Sequence, residues 1–348
     1  MAFFRMQSRT VVGLDTGRSA IKVVAYAEGA RFSIMYPTLA VPAVELTDPT
    51  TAERAKSETE IVDGKAYFTG DTARLQGNLT SSIGLNDDWT DTPEYQALVK
   101  SAFTRLHKAG VPNLDSAYVV IGTPSKLYGT RQERLVEKTK LALPKGVEIK
   151  ALPQPMGAYC DYVLDKSGMP IKDKLIGPSG RTKSYGVIEG GHFSTDFLLM
   201  KEGQYIERGA DSCSGMSAAA EQLRRVLAKR NLTASLVECE EAFRTKTLFQ
   251  FGEEIPIANE VLEAQSHVVQ EIISKGNSLF ADDARSLNGI LIAGGSADAI
   301  HAITSQTWKH SILMENSRWS VAEGFARYGL GQLIRASISA IQLVAANG

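Results

Sequence analysis

The sequence predicts an α/β protein with two lobes around a central cleft, and three observations carry that expectation. A strand–turn–strand hairpin opens the chain, a second of the same design recurs past its middle, and a late apolar strand runs through Gly-Gly into a helix. Each lobe would pack its strands against helices around its own core. The 348 residues suit such a division at about 150 residues per domain.

Composition narrows the class. A hydrophobic share of 43% and a charged share of 22% exclude a disordered or collagen-like chain. Lysine plus arginine (38) nearly balance aspartate plus glutamate (39), so no basic excess points to direct nucleic-acid binding. The cysteines Cys160, Cys213 and Cys239 are too few and scattered for a disulfide framework, and read as reduced thiols of a cytosolic protein. The N-terminal apolar run is too short for a signal peptide, and no stretch approaches the ~20 apolar residues of a membrane span. The expected location is cytoplasmic.

In chain order, Thr10–Leu14 and Ala20–Tyr26 are β-rich runs flanking the small-residue turn Asp15-Thr16-Gly17-Arg18-Ser19. Pro42 to Thr90 reads as polar and irregular, with a strand-like piece at Ala66–Thr69. Thr92 and Pro93 suit an N-cap and first helical position. The helix they open runs to Ala109, with Tyr95, Leu98, Val99, Ala102, Phe103 and Leu106 on one face. Ala117–Gly122 is a continuous apolar strand, Arg131–Lys140 a charged stretch, Val147–Leu152 another strand, and Pro155–Leu164 a helix. Lys166–Lys183, rich in glycine, proline and lysine, is the expected linker.

The second half repeats the theme. Strand runs Tyr185–Ile188 and Thr195–Met200 flank a glycine-containing tip, and helices follow at Ser217–Arg230 and Ala258–Asn277. Gly289–Ile292 is a buried strand entering Ala293-Gly294-Gly295-Ser296, a helix starts near Ala297, and Ala322–Val344 is helical to the end. On that last helix Leu330, Leu333, Ile334, Ile338, Ile341 and Val344 share one side, with Arg335 the only charge in Leu330–Val344. A membrane-surface helix wants a basic polar face, so packing on the body or on a partner is expected. The pattern amounts to one weak internal repeat of a βββαβα unit.

The loops carry the chemistry. A triphosphate needs backbone N–H groups that a tight tip can aim inward, a cation against its charge, and a carboxylate to hold a metal's water shell. Asp15 supplies the carboxylate, Gly17 allows close backbone approach, and Lys22 lies on the returning strand. In the second loop Glu189 precedes Gly190-Gly191, and Asp196 stands on the return. Two acidic hairpins can share one hydrated magnesium ion, which takes only one or two carboxylates. The turn Gly294-Gly295-Ser296, between an apolar strand and a helix N-terminus, suits a base or sugar lying on bare backbone. No two of His107, His192, His267, His301 and His310 have metal-ligand spacing on one face, so zinc is not expected. Cys213 reads as a small packing residue rather than a nucleophile.

The order of these loops resembles the actin/sugar-kinase/heat-shock-chaperone superfamily, and within it the ParM-type actin-like ATPases of plasmid segregation. Asp87–Phe103 is similar to that family's aromatic-then-helix stretch, Ala151–Val163 to its strand-to-helix connection, and Trp319–Gly329 to its final helix. The resemblance implies an actin-like fold, each lobe a ribonuclease-H-like mixed sheet flanked by helices, with nucleotide in the central cleft. It implies lobe I at 1–165 plus 318–348, with a subdomain at 33–108, and lobe II at 180–317, with a subdomain at 230–280. Carried over by position, Asp15 and Glu189 would hold magnesium through water, and Gln154 would orient the attacking water. Thr16, Gly17, Arg18, Ser19 and Lys22 would wrap the phosphates, Gly191, Ser194, Thr195 and Asp196 would form the other jaw, and Gly294, Gly295 and Ser296 would hold the nucleoside. Gly215 would approach the nucleotide from the turn before the Ser217–Arg230 helix. Glu189 stands where the family usually has aspartate, and His192 and Phe193 where it has small residues.

The function implied is a filament-forming ATPase using ATP or GTP with Mg2+, assembling with itself and reaching DNA through a small adaptor protein. A non-motor nucleotide-binding scaffold and a small-molecule kinase of the same superfamily are the alternatives. The kinase would need an acceptor pocket with a catalytic aspartate near the γ-phosphate, for which the sequence offers no candidate, and the water-positioning slot holds Gln154 instead.

Overall fold

The computed structural model describes residues 9–77 and 88–346, and divides them between two compact units. Residues 1–8, Asp87 at the head of the aromatic-then-helix stretch, and the side chains of Ile341 and Val344 lie outside the described residues. The first unit runs to Leu175 and resumes at Trp319; the second spans Ile176–Arg318.

The first unit is built on a five-stranded sheet. Strands β1 (Val11–Thr16), β2 (Ala20–Ala27) and β3 (Ala30–Pro37) form an antiparallel meander. Strands β7 (Tyr118–Thr123) and β8 (Glu148–Pro153) extend it in parallel, giving the order β3-β2-β1-β7-β8. Valine, isoleucine and leucine dominate β1, β2 and β7 because both faces of this sheet are covered. One face packs on the helix Pro93–Lys108, whose Tyr95, Leu98, Ala102 and Leu106 are fully buried. Thr92 caps that helix, its Oγ1 accepting from the Tyr95 N–H at 3.2 Å.

The other face receives the C-terminal helix Ser320–Ala346, and small residues set how close it comes. A Cβ on Gly13 would lie 2.0 Å from the Ala322 carbonyl oxygen, and one on Gly324 1.7 Å from that of Gly157. The C-terminal helix therefore meets β1 and the helix Gln154–Val163 backbone to backbone. Glu323 pins it from above, accepting from the Tyr26 hydroxyl at 2.5 Å and Arg31 at 2.9 Å. Arg327 donates to the Asp161 and Leu164 carbonyls, satisfying the C-terminal end of Gln154–Val163. Farther along, Leu330 and Leu333 pack on the same unit, whereas Ile338 is exposed.

One expectation is corrected here. The stretch expected to be irregular folds into the helices Pro49–Lys56 and Gly70–Gln76 and a three-stranded sheet of β4 (Ala40–Pro42), β6 (Lys65–Thr69) and β5 (Thr59–Val62). Local chemistry explains it: Asp48 caps the first helix through the Thr51 N–H, and Asp63-Gly64 turns the β5–β6 hairpin at positive φ. The charged stretch Arg131–Lys140 lies within the helix Ser125–Ala142, whose exposed face it supplies.

The second unit repeats the plan. Strands β9 (Tyr185–Gly190) and β10 (Ser194–Lys201) are antiparallel, and β15 (Gly289–Ala293) and β16 (Ser311–Leu313) continue from β9 in parallel. Short strands β11 (Gln204–Tyr205) and β12 (Asp211–Ser214) both pair with β10. The helices Ala258–Phe280 and Ala297–Thr307 contribute Val269, Ile272, Ala297 and Ile300 to its core. A further cluster joins the helices Ser217–Ala228 and Leu236–Thr245 to the hairpin β13 (Thr247–Gln250) and β14 (Glu253–Pro256).

Among the described residues no helix is long and apolar enough to cross a membrane.

Candidate functional site

In the first unit three residues singled out from sequence come together. Asp15 belongs to β1 itself and lies opposite Lys22 in register. Its Oδ2 accepts from Lys22 Nζ at 2.6 Å, with both side chains buried. Its Oδ1 accepts from Gln154 Nε2 at 3.3 Å. Gln154 reaches it because it is the first residue of the helix that β8 feeds. An amide, a carboxylate and an ammonium thus meet at one end of a single sheet, brought there by β8, β1 and β2.

Thr16 ends β1 and is buried, and Gly17, Arg18 and Ser19 form the tip, with Ser19 exposed. A Cβ on Gly17 would sit 3.0 Å from the Ala20 carbonyl and 3.6 Å from Asp15 Oδ1, so bare backbone lies beside the carboxylate. Thr38 braces the tip: its N–H donates to the Ser19 carbonyl at 3.2 Å and its hydroxyl to that of Gly17. Sequence reasoning missed Thr38, since nothing in its spacing ties it to the loop. It also missed Thr123, whose buried hydroxyl makes no hydrogen bond among the described residues and which lies opposite Pro153 in register, one residue before Gln154.

In the second unit Glu189 and Gly190 lie within β9 rather than in the turn, because the strand runs two residues beyond Ile188. Glu189 is opposite Asp196 in register, and both are buried. Asp196 accepts from the Ser212 hydroxyl at 2.5 Å and that of Ser194 at 2.8 Å. The neighbouring Thr195 hydroxyl is buried and makes no hydrogen bond among the described residues. Ser212 was invisible from sequence because β12 is only four residues long.

The tip of this hairpin rests on a helix N-terminus. The carbonyls of Gly191, His192 and Phe193 accept from Met216, Ser217 and Gly215 N–H groups at 3.2, 2.7 and 2.9 Å. A Cβ on Gly215 would lie 2.5 Å from the His192 carbonyl, so Gly215 serves first to let the tip lie flush. The Gly191 N–H donates to the Ser194 carbonyl at 2.9 Å.

The Gly294-Gly295-Ser296 turn joins the same strand end. Gly294 has φ +93, and a Cβ there would lie 2.4 Å from the Gly190 carbonyl and 2.5 Å from Glu189 Oε1. The Ser296 N–H donates to the Gly190 carbonyl at 3.1 Å. A Cβ on Gly295 would meet nothing within 4 Å, leaving open space above an exposed residue. Within this unit the structure brings together Glu189, Gly191, Ser194, Asp196, Gly215, Gly294 and Ser296.

These oxygen-rich sets suit a hard, hydrated divalent cation and its anionic ligand better than a soft metal. No cluster of three or more histidine, cysteine or acidic ligands occurs among the described residues. Burial, then the carboxylates of Glu271 and Asp196, push the Cys213 thiol up to about 12, which keeps it from acting as a thiolate.

Residues 13–157 match the family described as actin-like proteins, N-terminal domain. The fold is the actin-like fold. A ParM described as the pCBH non-polymerisable quadruple mutant superposes with a TM-score of 0.74 at 19% identity, over 92% of this chain and 99% of that one. A 15-stranded ParM filament from Clostridium botulinum gives 0.74 at 18% identity, with the same coverage. An archaeal actin homologue in complex with ADP gives 0.66 at 18% identity, over 91% of this chain and 97% of that one. No curated protein matches the chain in sequence.

Proposed function

We propose, from the actin-like fold of this chain, that it is a nucleotide-dependent filament protein of the ParM type that hydrolyses a nucleoside triphosphate, ATP or GTP, as it assembles. The observation that carries this reading is the Asp15–Lys22–Gln154 constellation. Structural relatives point the same way, one of them a ParM filament and another an actin homologue holding ADP.

In this reading the Asp15 carboxylate meets magnesium through its water shell and Lys22 neutralises phosphate charge, while Glu189 is the carboxylate that the second unit's own loop offers to a hydrated cation. Bound magnesium would supply charge neutralisation on the polyphosphate. Gln154, a neutral amide already directed at the Asp15 carboxylate, both donates to and accepts from a water, and needs no altered pKa to orient it. In the first unit Thr16 to Ser19 offer a hairpin tip to a polyphosphate, and in the second unit Gly191 with Ser194, Thr195 and Asp196 offer a tip of the same design. The open side of Gly295 gives a base or ribose room on bare backbone. Assembly would link the nucleotide state to subunit contacts, and plasmid DNA would be reached through a small DNA-binding adaptor in the cytoplasm. Glu189, where aspartate is usual, favours a second reading, a scaffold that binds nucleotide and turns it over poorly.

Sedimentation and light scattering with Mg2+ and nucleotide test the proposal, with phosphate release expected to track polymer mass. No pelletable polymer with ATP, GTP or a slowly hydrolysed analogue sinks the filament reading. Gln154→Ala should still assemble while phosphate release slows on the order of 10²-fold. Unchanged release removes Gln154 from its role, whereas release too slow to follow polymer mass in the unaltered chain favours the scaffold reading.

A further inference from the structure

The tip of the β9–β10 hairpin is held on one side through its carbonyls, but the side chain of His192 takes a separate route. His192 Nε2 lies 3.0 Å from Glu240 Oε1, on the helix Leu236–Thr245. Its ring stands edge-on to Phe193, with 4.6 Å between centroids. The helix it reaches is closed at its start by a reciprocal box between Ser235 and Glu238, and ends at Lys246 with φ +60. The chain passes from there directly into the β13–β14 hairpin. Leu248 of that hairpin is buried with Cys239 and Ala242 of the helix in one cluster, so helix and hairpin form a single packed body. The opposite side of the hairpin is bare: Phe249 is 65% exposed, and Phe251, at the turn with φ +52, is 104% exposed.

We infer that His192 is a positioning residue of the second loop that acts through Glu240, coupling an anion at this tip to the helix Leu236–Thr245 and to the aromatic hairpin beyond it. This rests on the reading that the loop holds a nucleotide's polyphosphate. A bond to a carboxylate is directional and stronger than a neutral one, so a shift of the tip is passed to Glu240 rather than absorbed by the side chain. The hairpin follows because its inner face shares a core with the helix. Coupling of this kind requires only that the His192–Glu240 contact differ between the free and the occupied loop. The surface it moves carries two phenylalanines, the largest of the exposed apolar side chains among the described residues, and offers them to a second copy of this chain.

Hydrogen exchange read by mass spectrometry tests it, at a protein concentration where light scattering shows no polymer. A slowly hydrolysed ATP analogue with Mg2+ should slow exchange over residues 236–256 in the unaltered chain. Glu240→Ala should lose that slowing while still binding a fluorescent nucleotide. Glu240→Gln keeps an acceptor for the His192 N–H and should restore it. Equal protection of 236–256 in Glu240→Ala overturns the inference and leaves the nucleotide reading intact. Failure of the unaltered chain to bind nucleotide overturns both. Glu240 is partly exposed on a capped helix, and thermal melting of each variant shows that the fold is kept.

Discussion

The two hairpins β1–β2 and β9–β10 hold the same place in their sheets, each the antiparallel pair from which parallel strands continue. Their charges differ at one register position. Asp15 faces Lys22, whereas Glu189 faces Asp196. The first hairpin carries its own counter-ion at 2.6 Å, buried among apolar strands. The second sets carboxylate opposite carboxylate, and Asp196 is satisfied by serine hydroxyls from Ser194 and Ser212. One backbone template therefore carries two charge arrangements: an acid with a lysine across the hairpin, and two acids facing each other.

Breaking the first pair should have the largest effect. Lys22→Met leaves the Asp15 carboxylate buried without its ammonium, and removal of one partner of a buried ion pair costs about 3–5 kcal/mol. Chemical denaturation should show a loss of that size. A loss under about 1 kcal/mol would mean that Asp15 is rehydrated or partnered otherwise, and the contrast between the hairpins would fail.

Neutralising the second pair should act in the opposite direction. Like charges directly opposite across an antiparallel pair are destabilising, by up to about 1 kcal/mol. Glu189→Gln should therefore raise the melting temperature of the ligand-free protein, and added Mg2+ should stabilise the unaltered chain more than the variant. A lower melting temperature for Glu189→Gln would show that the carboxylate does structural work on the Gly294 turn, which its Oε1 adjoins.

The sequence made the hairpins, the Gly-Gly turn and the large helices legible because each rests on local signals: alternating β-branched runs, capped amphipathic faces, and glycine where a Cβ cannot fit. Asp15, Lys22 and Gln154 were readable as a set only through resemblance, since their meeting depends on β1, β2 and β8 sharing one sheet across 139 residues from Asp15 to Gln154. What stayed hidden was short or tertiary. Residues 42–77 looked irregular because strands of three to five residues carry too little periodicity to register. Thr38 and Ser212 earn their roles from strand pairing alone, and His192 from a contact with a helix 48 residues on.

The smallest expected effect sharpens the comparison from behind the first hairpin, where Glu323 of the C-terminal helix binds Tyr26 of β2 and Arg31 of β3. Burial alone raises the Glu323 carboxyl, but the bonds from Tyr26 and Arg31, with the charges of Arg31 and Arg327, outweigh it and hold it below its ordinary value of 4.5. A carboxyl lowered in the folded state binds its proton more readily once the chain unfolds. Its contribution is therefore complete above pH 4.5 and fades as the pH falls through the lowered value. Melting temperatures of the unaltered chain and Glu323→Gln should differ most near neutral pH and converge as the pH falls below 4.5. The second unit offers its own counterpart, since Lys201 and Arg208 hold the Asp283 carboxyl low by hydrogen bonds and charge, so Asp283→Asn should converge with the unaltered chain as the pH falls below that group's ordinary 3.8. A difference for Glu323→Gln that stays constant with pH would mean that Glu323 supports the sheet by packing rather than by its charge.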